Sequence, residues 1–294
     1  MSTATLQAEA VLAAGAGVGE CPVWDDETGT LIWLDIPAGR VHRFDPRAGT
    51  DTFISAGQPV GSVALRELGG IVLALRDGFG LLDPGAAEVR LVRAVELDVP
   101  ENRMNDGKCD AAGRFWAGTM AFDSRPAAGT LYRLEPDLSV EPVLSELTIS
   151  NGLAWSADDR TLYFVDSGAH GIDAFDYDLE RGSIANRRRI VDIPPEDGLA
   201  DGLTIDADGC LWVAVWNGWT VRRYAPDGEL LAVAELPTAR VTSCTFGGDR
   251  FDELYVTTAA EGLSPEQRLT QPHAGDLFRI RPGVRGLPAR RFGG

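Results

Sequence analysis

The chain of 294 residues has one lysine, Lys108, among 27 basic residues, together with only three histidines and four cysteines. Each scarcity excludes a chemistry. Schiff-base catalysis would have a single possible nucleophile, and Lys108 falls at an alternating position of an apolar run, which gives it a structural reading. The histidines (His42, His170, His273) are scattered and the cysteines (Cys21, Cys109, Cys210, Cys244) form no CxxC pair, so neither a Cys/His zinc site nor a disulfide framework is encoded. The thiols read as small buried hydrophobes. No GxSxG elbow or phosphate loop occurs, and GAGVG at 15–19 lacks dinucleotide-loop spacing, so no serine nucleophile or nucleotide cradle is visible.

No basic residue precedes Arg40, and Glu9 interrupts the apolar stretch before it. The segment predicts neither a signal peptide nor a membrane span, and hence a cytoplasmic protein with reduced thiols. The 44 acidic residues outnumber the basic ones, giving a formal charge of −17. Such a surface repels phosphate backbones and anionic membranes, so nucleic-acid and membrane partners are not expected. With 44% hydrophobic residues the chain can bury a large core. Its length allows two domains or one large all-β domain.

Internal repetition chooses between them. A short apolar run, a polar turn and a second aromatic or aliphatic run recur six times, as in ECPVWDDETGT–LIWLDI, NDGKCDAAGR–FWAGTM and NGLAWSADDR–TLYFVDS. The markers Trp33, Val72, Trp116, Tyr163, Trp212 and Tyr255 are spaced by 39 to 49 residues. Third runs such as RVHRFDP and GDLFRIRP close the units, and no helical period long enough for a βα crossover intervenes. A unit of this length with three or four strands is a propeller blade. The sequence therefore predicts an all-β fold, a single six-bladed β-propeller over residues 1–294, in which residues 7–13 and the end of the chain complete one blade together. DADG at 206–209 resembles the start of an EF-hand loop but recurs as DAAG and SADD at the same phase, which makes it a hairpin turn. The basic run Arg187 to Arg189 reads as a charged edge.

In a propeller the first strand of each blade lines the central channel. The repeat phase puts Glu20, Asn105 and Asp106, Asn151, Asp201, and Thr242 and Ser243 at one end of it, while the second repeat offers Gly61 and Ser62. Asn or Asp before Gly is by itself a turn signal. Here Glu20, Asn151 and Asp201 stand 13, 12 and 11 residues before their markers, nearly equivalent positions. Carboxylates gathered in a low-dielectric channel repel, and one divalent cation resolves the conflict. Two carboxylates and an amide oxygen suit Ca²⁺, Mg²⁺, Mn²⁺ or an oxygen-bound Zn²⁺, with positions left open. If Glu20 points inward, simple alternation turns Cys21 away from the channel.

The segments GECPVW, NRMNDGKCDAAGRFWAGTM, SNGLAWSADDRTLYFVDS, IDAFDYDLERGSIANRRR, DGLTIDADGCLWVA and TSCTFGGDRFDELYVTTA, in this order from about residue 18 to 290, resemble the SMP-30/gluconolactonase family. The resemblance implies a six-bladed propeller lactonase with one metal ion in the channel, opening a sugar lactone. By motif, Glu20, Asn151 and Asp201 would be the metal ligands, Arg103 and Asn105 would bind substrate, and Asp123 would occupy a further substrate-contacting acidic position. The family pattern there has a glutamate, one methylene longer. Lactone opening needs a polarised carbonyl and an activated water, which a metal supplies, and Asp201 is the expected catalytic group that takes the water proton. Asp106 is expected to cap the NDG bend behind the ligands. The alternatives are a non-enzymatic calcium-binding propeller and a protein-interaction propeller.

Overall fold

The computed structural model describes residues 4–294; residues 1–3 of the expected 1–294 domain lie outside the described residues. The chain is built almost wholly of antiparallel strands, with helix among the described residues confined to Pro265–Thr270 and two short 3-10 turns. No helix among the described residues is long and apolar enough to cross a membrane. Four sheets have four strands each, in sequence order, beginning at Gly19–Asp25, Val60–Leu65, Asn102–Cys109 and Ser150–Trp155. A fifth sheet has eight strands. Its outer pair begins at Leu199–Ile205 on one edge and Val241–Gly247 on the other, and Ala4–Leu12 joins the two halves. That first strand pairs in parallel with Leu230–Glu235 through residues 4–7, then antiparallel with Leu277–Ile280 through residues 8–12.

The six strands just named as first or outermost pack side by side in a closed ring, Val241–Gly247 returning to Gly19–Asp25. This is the arrangement of a β-propeller, with the inner strands around an axial channel. Within each sheet the alternating apolar residues face the neighbouring sheet and form the core. Trp116, Leu131, Leu153 and Phe164 fill one such interface, and Ile32, Leu34, Val63 and Leu73 another. The DxxG turns are fastened by their aspartates. Asp110 and Asp206 each cap their own turn with one oxygen, while the other accepts the indole Nε1–H of Trp116 or Trp212 at 2.8 and 2.9 Å. The marker tryptophans thus lock the hairpins they follow. Of the basic run, Arg187 and Arg189 both grip Asp173 at 2.6 Å, so on this edge strand charge also binds one strand to the next.

The C-terminal segment crosses the far end of the ring, touching the hairpin turns that follow the inner strands. Gly286 bridges to Asp206, Phe292 to Arg66, and the N–H of Gly293 donates to Gly113. Leu287, Pro288, Ala289 and Arg290 thereby cover a cavity of about 100 Å³ inside the channel.

Candidate functional site

Every inner strand carries a register irregularity at the same place: between Glu20 and Val23, Val60 and Ser62, Met104 and Gly107, Ser150 and Leu153, Ala200 and Leu203, and Val241 and Ser243. A bulge leaves one residue unpaired and re-aims the side chains beside it. The motifs NDG, SNG and ADG therefore lie within the inner strands and not at simple turns. Their glycines answer to packing. A Cβ on Gly152 would stand 2.5 Å from the Leu203 nitrogen and 2.7 Å from the Asp201 oxygen, and one on Gly202 would meet the Ser243 side chain at 2.1 Å. The ring closes to this radius where the residue after Asp106, Asn151 and Asp201 has no side chain of its own.

The irregularity also corrects the placement of Cys21. Its φ of 41° breaks the alternation, its N–H donates to Glu20 Oε2 at 2.5 Å, and its side chain lines the channel cavity below. Burial pushes its thiol, and that of Cys109, well above the ordinary range. All four thiols are free and buried.

Glu20, Asn151 and Asp201 come from three inner strands and are 5%, 5% and 7% exposed. Burial, then the charges of Asp201 and Asp106, hold the Glu20 carboxyl well above its ordinary value. Burial and Asp106 do the same to Asp201, and burial raises Asp106. None of the three is directly ion-paired to a side chain among the described residues. Asn151 is oriented by a relay: its Nδ2 donates to Ser167 Oγ at 2.9 Å, and that hydroxyl donates to the Ala200 carbonyl at 2.7 Å. The amide oxygen is left on the channel side, where Asn105 Nδ2 approaches it at 3.4 Å.

Asn105 and Arg103 stand at the channel end where the inner strands begin. Asn105 Nδ2 donates to the Ser150 carbonyl at 2.8 Å, tying two blades, while its Oδ1 accepts from Arg103 at 2.7 Å. Arg103 is half-buried, and burial lowers its guanidinium to about 10 against the pull of Glu20, Glu261 and Asp201. Glu261 was not expected here; it follows Glu253–Thr258, the second strand of the last repeat, which the inner-strand phase does not reach. Ser167 likewise lies outside the inner strands and leaves no sequence signal. Asp123 is exposed on the turn after Phe115–Ala121 and faces Arg125, its Oδ1 accepting that residue's N–H at 3.2 Å, so it is not gathered into the cluster.

Among the described residues no group of three or more His, Cys, Asp or Glu side chains is poised as a metal cluster. The donor set of Glu20, Asn151 and Asp201 is two carboxylates and an amide oxygen. It fits a hard divalent cation on its chemistry: buried, oxygen-only, mutually repelling, and short of cationic partners.

A family model described as SMP-30/Gluconolactonase/LRE-like region matches residues 18–260. A regucalcin of Xenopus laevis is 41% identical over 297 aligned positions, covering 99% of both chains. Among solved structures, a luciferin-regenerating enzyme superposes with a TM-score of 0.91 at 34% identity, covering 98% of this chain and 99% of that one. A calcium-binding protein called regucalcin, from Agrobacterium tumefaciens, gives a TM-score of 0.95 at 27% identity with 99% of each chain covered.

Proposed function

The chain belongs to the SMP-30/gluconolactonase/LRE-like family, and from that premise we propose that it is a six-bladed propeller lactonase that hydrolyses a sugar aldonolactone with one divalent cation. The blade number follows from reading the eight-stranded sheet as two blades joined edge to edge by Ala4–Leu12, each blade then having four strands. The observation that carries the function is the convergence of Glu20, Asn151 and Asp201 at one level of a desolvated channel, beside Arg103 and Asn105 at its mouth.

A cation held by Glu20, Asn151 and Asp201 would polarise the lactone carbonyl and acidify a water. The chain's own residues do the rest. Ser167 engages the Asn151 amide through its Nδ2, which leaves the amide oxygen free to serve as a ligand. Arg103 offers a planar donor fork to substrate oxygens, and Asn105 holds that fork in place through its Oδ1. A carboxylate oxygen of Asp201 accepts the proton of the attacking water. The water oxygen bonds to the carbonyl carbon, the bond from that carbon to the ring oxygen breaks, the proton taken by Asp201 passes to the ring oxygen as its hydroxyl, and an open-chain acid leaves.

Acid release from a panel of aldonolactones, by protein stripped of metal and then given Ca²⁺, Mg²⁺, Mn²⁺ or Zn²⁺, tests this reading. Hydrolysis that a chelator abolishes and an ion restores is the expected result. The second reading, a calcium-binding propeller without turnover, is favoured by the names of the regucalcin relatives. Stoichiometric metal with no hydrolysis of any lactone would decide for it.

A further inference from the structure

Behind the proposed ligands the channel holds a third buried carboxylate, Asp106, and the chain's one lysine. Both line the cavity that the C-terminal segment covers. The Lys108 ammonium donates to the main-chain carbonyl of Leu203 at 2.7 Å. These two residues belong to inner strands separated by a third, so the side chain spans the channel wall to wall instead of leaving it. Asp106 accepts the N–H of Gly107 at 2.7 Å and has no direct ion pair among the described residues. The other cation lining the cavity, Arg290, is engaged with Asp159 and lies over the Trp155 ring.

Charges in such a place interact through little water, and an unbalanced one is costly. Glu20, Asp106 and Asp201 contribute three negative charges and Glu261 beside Arg103 a fourth; Lys108 and Arg103 contribute one positive charge each, and a divalent ion would contribute two. We propose that Lys108 is a built-in counter-cation of the metal centre, positioned to neutralise Asp106 so that the channel is balanced by a single divalent ion. The proposal rests on the metal reading above. A bystander lysine that merely braces Leu203 would leave cation affinity indifferent to its charge. A counter-cation would not: its ammonium repels the incoming ion, and Asp106 attracts it.

Calorimetric titration with Ca²⁺ separates the two. Lys108→Met keeps the stem and removes the charge, and should bind Ca²⁺ about ten-fold more tightly than the unaltered protein, while Asp106→Asn should bind about ten-fold more weakly. The double variant should return towards the original affinity. Equal affinities for the unaltered protein and Lys108→Met overturn the proposal and leave the metal reading intact. Absence of Ca²⁺ binding by the unaltered protein, and of Mn²⁺ binding, overturns both. Metal binding without lactone hydrolysis overturns only the proposed activity. Should Lys108→Met fail to fold, the unaltered chain still decides, because protein labelled with ¹⁵N at lysine Nζ gives one side-chain ammonium resonance. That signal should move with the first equivalent of Ca²⁺; a signal that stays fixed while Ca²⁺ binds overturns the proposal.

Discussion

A Cβ placed on Gly152 would come within 2.7 Å of the carbonyl oxygen of Asp201, so the backbone beside one proposed ligand is seated in the space that a side chain next to another would need. The inner strands are held at this separation because glycine follows Asn151 and Asp201. Gly152→Ala should therefore force the fourth and fifth inner strands apart. Overpacking of this kind costs about 1–3 kcal/mol. Chemical denaturation should show that loss, and calorimetry should show weakened divalent-cation binding in whatever fraction remains folded. Unchanged stability would mean that the ring is looser than these contacts require.

Metal-free protein should carry a burden that neutralisation relieves. The folded values for Glu20 and Asp201 are raised above the ordinary 4.5 and 3.8. A carboxyl with a raised folded value binds its proton more tightly when folded, so stability falls as pH rises from the ordinary value through the raised one, and is lowest above it. In chelator at neutral pH, Glu20→Gln should thus melt at a higher temperature than the unaltered protein, with the advantage disappearing below about pH 4. With saturating divalent cation the order should reverse. A Glu20→Gln protein less stable in both states would contradict the assignment.

Ser167→Ala removes the hydroxyl that orients Asn151 without replacing any proposed ligand. Groups that orient a metal ligand are typically worth 10–100-fold in affinity. Calorimetry should record a loss of about ten-fold in divalent-cation affinity at little cost in thermal stability.

Arg103→Lys keeps a positive charge but loses the planar fork held by Asn105. The expected result is a fall of about ten-fold in kcat/KM for an aldonolactone, equivalent to ~1.4 kcal/mol, with divalent-cation affinity unchanged. A change in metal affinity instead would place Arg103 in the ligand shell's own balance and not on the substrate.

The repeat phase in the sequence aligns Glu20, Asn105, Asn151 and Asp201, because equivalent positions of equivalent strands must meet around an axis. Alternation failed at Cys21, since period two assumes an unbroken ladder and the inner strand has a bulge at that point. Ser167 and Glu261 were not legible for a different reason: they lie outside the inner strands, Ser167 reaching Asn151 and Ala200 by hydrogen bonds and Glu261 acting on Arg103 only through its charge. Asp123 shows the converse. Its motif position was recognisable, yet the turn that carries it leaves the side chain in solvent beside Arg125. Lys108 was read as structural from its place in the strand, and the hydrogen bond to Leu203 fits that role while also setting its charge within the channel.

The central claim is that Glu20, Asn151 and Asp201 together hold one divalent cation. Anomalous diffraction from crystals of the protein soaked in Mn²⁺ tests it most directly. One strong peak is expected in the channel within bonding distance of an oxygen from each of the three side chains. No peak in the channel, or one ligated by other residues, would contradict it.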